Sequence, residues 1–523
     1  MSPLKSRLYW VVAAAVSVCG VALRTSSLGE QSLWFDEAFG LMLSRLHGHI
    51  FWEAAGRDVH PPGFAILLGI WQSVFSSVAG LRFLSVAAGL ISLALFWIIA
   101  RELLRPGAAL IAYSLWCVAP MAVYYSQELR MYAWWEVFHL AVLLCILREL
   151  EGGRGRLWSC AVAIFSVLAV YFHYYAIVTV GALWGYWVTE SFLRPAIENT
   201  TKGDRLRRPL WVGLAIVAGC LPVWPMFLTQ LMASSYGGAL ASPGKLPDYV
   251  QFVAGALQYF AGLAPMAPFQ TMSRDPAHMT GFTVSFTLLY VAAVLAMLTW
   301  GAILAYRHEP RIYRLALIAA GIPVIATVLH VGLGGYFYLR CWLPMLPLCF
   351  LLLGLMGTEG QYRRIGKALI VLMWVYTATA SAFSLRHAAR DTSLLVHRFL
   401  ASHAQPGELV VHNRLFSYLP LAIYPSDPGD VVSPTLRHRV LDSPRTRQRD
   451  TILLVPLDKR IPPMASQIAD KHFIFAESQW FGKTEPETEV FRQDLVKHGW
   501  KVDRSVRLRA GPKTSQIELW IAP

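Results

Sequence analysis

The sequence predicts a polytopic α-helical membrane protein with about eleven transmembrane helices, external interfacial helices and a small C-terminal α/β domain. Three observations predict it. Of the 523 residues 55% are hydrophobic and only 15% charged, where a soluble chain carries about a quarter charged residues. Apolar runs long enough, or nearly long enough, to span recur through the first 385 residues. Between them, Lys and Arg gather in short loops, the pattern of segments retained on the cytoplasmic side. The net charge of +14 therefore reflects membrane topology, and no nucleic-acid partner is expected.

The first run, 8–23, follows Lys5 and Arg7 and ends at Val21-Ala22-Leu23-Arg24, a poor small-residue cleavage site. It predicts a signal anchor rather than a removed signal peptide. Runs at 82–100, 107–123, 132–147, 158–172, 175–193, 210–231, 282–305, 315–333, 341–357 and 368–385 predict the remaining spans. One further stretch, 62–79, is decided by charge. Kept at the interface, it leaves Arg101 and Arg105, Arg148 to Arg156, Arg194 to Arg208, Arg307 to Arg314, and Arg363 to Lys367 inside; counted as a span, it would put all of them outside. Residues 24–81 are then an external loop with interfacial helices, and Pro61-Pro62 suits a helix start. A second external loop covers 232–281. The expected location is the inner (plasma) membrane, multi-pass, N-terminus cytoplasmic and C-terminus extracytoplasmic.

After Leu385 short apolar runs at 408–412, 451–455, 472–476 and 516–521 alternate with helical patterns near 390–403 and 487–498. This predicts an extracytoplasmic α/β domain over 386–523, with no Gly-rich nucleotide loop. The seven cysteines lie in or beside apolar runs without metal-ligand spacing, as small core residues do.

With this topology the polar motifs converge on the external side. They are Asp36-Glu37, Asp58-Val59-His60-Pro61-Pro62, Tyr124 to Tyr132, Tyr171 to Tyr175 and Tyr336 to Arg340. Two adjacent carboxylates are costly to desolvate and make poor lipid anchors, so a membrane protein that keeps them at its interface uses them. Carboxylates can deprotonate an acceptor hydroxyl, arginines can hold a departing phosphate, and tyrosines can stack on and hydrogen-bond a sugar. The candidates are Asp36 and Glu37 for catalysis, and His60, Tyr125, Gln127, Glu128, Arg130, His173, Tyr174, Tyr338 and Arg340 for substrate binding. Each also has a structural alternative. Asp36 suits a helix N-cap and Glu37 a first helical turn. Glu128 and Arg130 can pair with each other or with Asp58, Arg340 can snorkel to the interface, and His173 and Tyr174 can belong to an aromatic belt. Trp134-Trp135 is expected to contact lipid. The basic run Arg437-His438-Arg439 suits a solvated face or anionic headgroups.

Trp34-Phe35-Asp36-Glu37-Ala38-Phe39, His60-Pro61-Pro62-Gly63-Phe64, Tyr125-Ser126-Gln127-Glu128-Leu129-Arg130-Met131-Tyr132 and Tyr338-Leu339-Arg340-Cys341-Trp342-Leu343-Pro344 resemble the C-type (GT-C) glycosyltransferases. The branch is that of protein mannosyltransferases, lipid A aminoarabinose transferase and rhizobial lipopolysaccharide sugar transferases. Residues 1–385 carry the resemblance in order and spacing. It implies a GT-C fold, a polyprenyl- or dolichyl-phosphate sugar donor, an external active site and transfer with inversion. It makes Asp36 the catalytic base with Glu37 beside it, and Arg340 a group that meets the donor phosphate. Its members are mostly metal-independent, so no cofactor is expected. The expected partners are the lipid-linked donor, an envelope lipid, polysaccharide or protein acceptor, and the bilayer. Gly63-Phe64 departs from a commoner Leu-Tyr, and Leu129 from a usual Ala. The competing class is a transporter or flippase of a lipid-linked sugar, which would show internal repeats and charges near the midplane; the sequence shows no repeat, and its charges sit at one surface.

Overall fold

The computed structural model describes residues 3–151, 155–193, 202–233, 281–332, 343–387, 392–413, 415–423, 436–441, 460–461, 466, 468, 470–480, 486–510 and 513–523. The chain divides into two compact units. The first comprises Met1–Ser26, Val59–Phe64 and Leu84–Leu385, and the second Ser27–Asp58, Ala65–Phe83 and Arg386–Pro523.

The helices in chain order are α1 (Pro3–Thr25), α2 (Phe35–Ser44), α3 (Gly48–Arg57), α4 (Gly63–Gln72), α5 (Val78–Leu103), α6 (Pro106–Val118), α7 (Pro120–Ser126), α8 (Tyr132–Leu150), α9 (Gly155–Phe172), α10 (Ala176–Leu193), α11 (Lys202–Cys220) and α12 (Trp224–Ala233). Helices Gly281–His308, Pro310–Gly332, Leu346–Met356 and Arg363–His387 follow. A helix thus lies over each stretch predicted as a span. Among the described residues five are long and apolar enough to cross a membrane, or six if α6 and α7, bent by 52° at Ala119-Pro120, form one broken span. Helix α4 has ten residues, about 15 Å at 1.5 Å per residue. That is roughly half the hydrocarbon thickness, so it cannot cross alone.

Apolar side chains cover the outside of the first unit. Val18 is 68% exposed, Val217 62% and Leu372 66%, a surface suited to lipid and not to water. Helix ends assigned to a common side meet through ion pairs. Arg148 of α8 pairs with Glu102 of α5. Arg208 of α11 lies 2.9 Å from Glu149 of α8, and Arg314 lies 2.6 Å from Glu190 of α10. Small residues let helices cross closely, as is common where lipid gives no hydrophobic drive between them. A Cβ on Gly354 would sit 2.5 Å from the Ala108 carbonyl oxygen of α6. The cysteines do not all follow the core expectation: Cys117 and Cys145 are buried, but Cys160 is exposed. Cys341 lies outside the described residues.

In the second unit the described residues of the tail build a six-stranded sheet from β1 (Leu409–His412), β2 (Arg437–Leu441), β3 (Arg460–Ile461), β4 (His472–Trp480), β5 (Lys501–Ala510) and β6 (Lys513–Ile521), in the order β3-β2-β1-β4-β6-β5. Strands β3, β2, β1 and β4 are parallel, and β6 and β5 add on antiparallel. Every residue of β1 is buried, as a central parallel strand requires. The period of two sends Leu409 and Val411 to one core, with Phe473, Phe475, Phe491 and Trp520, and Val410 to the other, with Val396, Leu400, Ile474 and Ile517. Helix Pro486–Lys497 supplies Phe491 to the first core, and helix Ser393–His403 supplies Val396 and Leu400 to the second. The predicted strand at 451–455 and the loop at 232–281, apart from Gly281 and the end of α12, lie outside the described residues. Arg437 belongs to β2, donating to the Gly407 carbonyl at 2.7 Å and pairing with Asp470, so at least this arginine of the basic run is a structural strand residue.

Candidate functional site

The acidic motif opens α2 in the second unit. Adjacent helical residues point about 100° apart, which separates Asp36 from Glu37. Glu37 turns inward and is fully buried, while Asp36 stays half-buried in the first turn, where the helix dipole favours a negative charge. Glu37 is held by Arg82, whose Nε donates to Oε1 at 3.0 Å and Nη2 to Oε2 at 2.7 Å. The other guanidinium protons go to the carbonyls of Leu28 (2.9 Å), Gln31 (2.8 Å) and Ser32 (2.8 Å). All five N–H donors of one buried arginine thus bind the segment that leads into Asp36. Glu37 Oε2 also accepts the Trp34 backbone N–H at 3.3 Å, as a Glu at this helix position does. Glu37 therefore holds the loop that leads into α2, next to Asp36 in the chain. Arg82 escaped the sequence reading, although a charged residue opening an apolar run was the available signal.

In the first unit three motifs far apart in sequence come together. Arg130 Nη2 lies 3.5 Å from His60 Nδ1. The His60 and His173 rings are 5.8 Å apart, edge to face. His173 stacks on Trp135 at 4.4 Å and 10° and lies 5.7 Å from Tyr132. Tyr132 meets Tyr125 at 5.0 Å. The Tyr175 backbone N–H donates to His173 Nδ1 at 3.1 Å, so Nε2 carries the proton when the ring is neutral. Glu128 and Arg130 are both buried beside this cluster's chain segment. Tyr174 packs on Phe227 at 4.9 Å. Trp135 is fully buried, so for this residue the expected lipid contact is corrected: its ring is the platform under His173. Tyr338 and Arg340 lie outside the described residues.

Two reciprocal caps fix the turn that carries Glu128 and Arg130. Arg24 at the end of α1 is buried and donates to the carbonyls of Cys117 (2.7 Å) and Trp116 (3.2 Å), satisfying the last turn of α6 before the Pro120 break. Gln127 Nε2 in return donates to the carbonyls of Leu23 (2.8 Å), Arg24 (3.2 Å) and Ser26 (2.9 Å) at the end of α1. Its amide nitrogen is thereby engaged in holding the motif. Glu136 and His139, also missed by the sequence reading, share the helical face of Tyr132 and Trp135 one and two turns further in and are buried.

Gly63 explains one departure from the commoner motif. A Cβ there would lie 2.4 Å from the Tyr171 carbonyl oxygen, so a Leu cannot occupy this position without moving α4. Gly63→Ala is expected to push the start of α4 away from Tyr171 and so part His60 from His173. A cost of about 1–3 kcal/mol, typical of overpacking, should appear as an earlier thermal transition in detergent. An unchanged transition would show that the contact yields freely.

Residues 59–224 match the family described as dolichyl-phosphate-mannose-protein mannosyltransferase. No curated protein matches the chain by sequence. The structure is similar to that of ArnT from Cupriavidus metallidurans in the apo state, with a TM-score of 0.56 at 12% identity over 98% of each chain. ArnT bound to undecaprenyl phosphate gives 0.53 at 13% identity, over 99% of this chain and 98% of that one. An Archaeoglobus fulgidus oligosaccharyltransferase, in complex with Zn and sulfate, gives 0.50 at 12% identity, over 89% of this chain and 67% of that one. At such identities the likeness is one of fold. Residues 59–224, the segment that holds His60, Arg130 and His173, thus match that family's model, and the chain as a whole shares its fold with ArnT.

Proposed function

We propose that this chain is an inverting glycosyltransferase that moves a sugar from a polyprenyl-phosphate donor to an envelope lipid, polysaccharide or protein on the periplasmic face of the inner membrane. Its eleven apolar stretches then cross the bilayer with the N-terminus inside and residues 386–523 outside. The observation that carries the proposal is the meeting of Arg130, His60, His173, Tyr132 and Tyr125 from three distant motifs, all inside the family-matched segment. A guanidinium, two imidazoles and two phenols form a set suited to a sugar phosphate. ArnT in complex with undecaprenyl phosphate supports that class of donor.

In the reaction the acceptor hydroxyl oxygen attacks the anomeric carbon from the face opposite the phosphate. Its proton passes to the Asp36 carboxylate, the bond between the anomeric carbon and the phosphate oxygen breaks, and the electron pair leaves with the polyprenyl phosphate. Arg130, and Arg340 by its motif, neutralise the charge that develops on that phosphate. His60, Tyr125, His173 and Tyr174 bind the sugar, with Glu128 beside Arg130. No metal takes part in this scheme.

The experiment is a membrane assay with labelled polyprenyl-phosphate sugars, following which envelope fraction gains label with and without EDTA. EDTA-insensitive transfer is expected, and label that stays in the lipid fraction with every donor would refute the proposal. Arg130→Ala should raise the donor KM by about 10–100-fold, the worth of a hydrogen bond to a charged group; an unchanged KM would remove Arg130 from the phosphate.

A further inference from the structure

In the second unit the Ser32 side chain links the Asp36 loop to the tail domain. Helix Ser393–His403 has Thr392 at its N-cap, yet Thr392 makes no side-chain cap. Its hydroxyl is 2.7 Å from the Ser515 hydroxyl on β6. The orphan N–H of Leu394 is satisfied from elsewhere, donating to Ser32 Oγ at 2.7 Å across 362 residues of sequence, in a buried contact. Ser32 thus supplies the N-cap that the helix does not supply for itself. The backbone of the same residue is a rung of the Arg82 clamp, since Arg82 Nη2 donates to the Ser32 carbonyl and, from the same nitrogen, to Glu37. One continuous path therefore runs from Leu394 through Ser32 and Arg82 to Glu37, the neighbour of Asp36. The tail end of that path is rooted, because Val396 and Leu400 of the capped helix lie in the sheet's core. A second contact runs parallel to it: α2 packs on helix Leu415–Ala422, which follows β1.

We propose that the C-terminal α/β domain is a brace for the helix that carries Asp36, and that Ser32 is the positioning residue through which it acts. The domain then contributes to transfer without touching substrate. A domain that only recruited an acceptor would need no buried bond to the loop before α2. The inference rests on the reading of Asp36 as the base.

The test uses the full chain in membranes with a labelled polyprenyl-phosphate sugar. Ser32→Ala is expected to lower kcat about tenfold with the donor KM unchanged, and Ser32→Thr, which keeps the hydroxyl, to restore most of it. Hydrogen exchange should rise together in residues 28–37 and in the first turn of helix Ser393–His403. The variant Ser32→Ala with Ser515→Ala separates the two roles. It removes the Ser515 hydroxyl from Thr392, which can then turn toward its own helix, so protection of that helix should return while kcat stays low. Recovery of kcat in the double variant would overturn the proposal, because the cap would then matter only for the helix. Normal kcat in Ser32→Ala with exchange raised would overturn it too. If Asp36→Asn retains full activity, the reading of the base has failed instead, independently of the brace.

Discussion

Asp36→Asn is expected to lower kcat for sugar transfer by about 10²–10⁴-fold, the usual contribution of a positioned general base, while the protein folds and inserts as before. Asn keeps the size and hydrogen-bonding shape of the side chain and removes only its capacity to take a proton. Asp36 is half-buried in the first turn of α2, whereas the carboxylate next to it is fully buried and held by Arg82 and the Trp34 N–H. The two acids of the motif therefore differ in kind, and the substitution Glu37→Gln should behave as a stability variant. Steady-state kinetics on matched amounts of folded protein check this. If Asp36→Asn keeps activity within tenfold of the parent, Asp36 is a first-turn acid and the base must be sought elsewhere.

Arg82→Ala is the second large effect. It leaves Glu37 buried with its cation gone, and it takes the donors from the carbonyls of Leu28, Gln31 and Ser32. Breaking one partner out of a buried ion pair costs about 3–5 kcal/mol, most of the marginal stability of a domain. Arg82→Lys should fall between, since an ammonium offers three donors where the guanidinium offers five in a fixed fork. Limited proteolysis of the loop and thermal unfolding in detergent should rank the parent above Arg82→Lys and that above Arg82→Ala. Equal stability of all three would mean that the clamp contributes nothing. The clamp serves position as well as stability, so surviving Arg82→Lys protein should transfer sugar more slowly than its folded fraction predicts.

Hydropathy and loop charge made the membrane half legible, because a span announces itself by length and composition without help from packing. They also singled out the short 62–79 stretch, whose helix α4 is too short to cross. The candidate residues were legible as motifs, and the structure brings His60, Tyr125, Arg130 and His173 into one cluster. Roles within the motifs were less legible, since they depend on which way a side chain turns. Glu37 and Asp36 are neighbours in sequence and part company by a rotation of about 100°. That Gln127 also caps the end of α1 was not legible, because the backbone carbonyls it binds carry no sequence signal. Arg82 passed as the leading charge of a span, and Trp135 as a lipid anchor, for the same reason.

In the tail, the predicted strands that lie within described residues were those with buried apolar runs. Strand β5 was missed because it lies at the sheet edge with Lys501, Asp503, Arg504, Arg507 and Arg509 along it. Charges of this kind protect an edge from pairing with other chains, and they hide the strand from any search for hydrophobic alternation.

The central claim is that this membrane protein breaks the bond between a sugar and a polyprenyl phosphate. Purified protein in liposomes, given undecaprenyl phosphate carrying a labelled sugar, measures it most directly. Release of bare undecaprenyl phosphate in step with label appearing on an added envelope acceptor, and loss of both in Asp36→Asn, is the predicted result. Intact sugar-lipid moved from one leaflet to the other, with no bare lipid phosphate formed, would contradict it and mark the protein as a flippase.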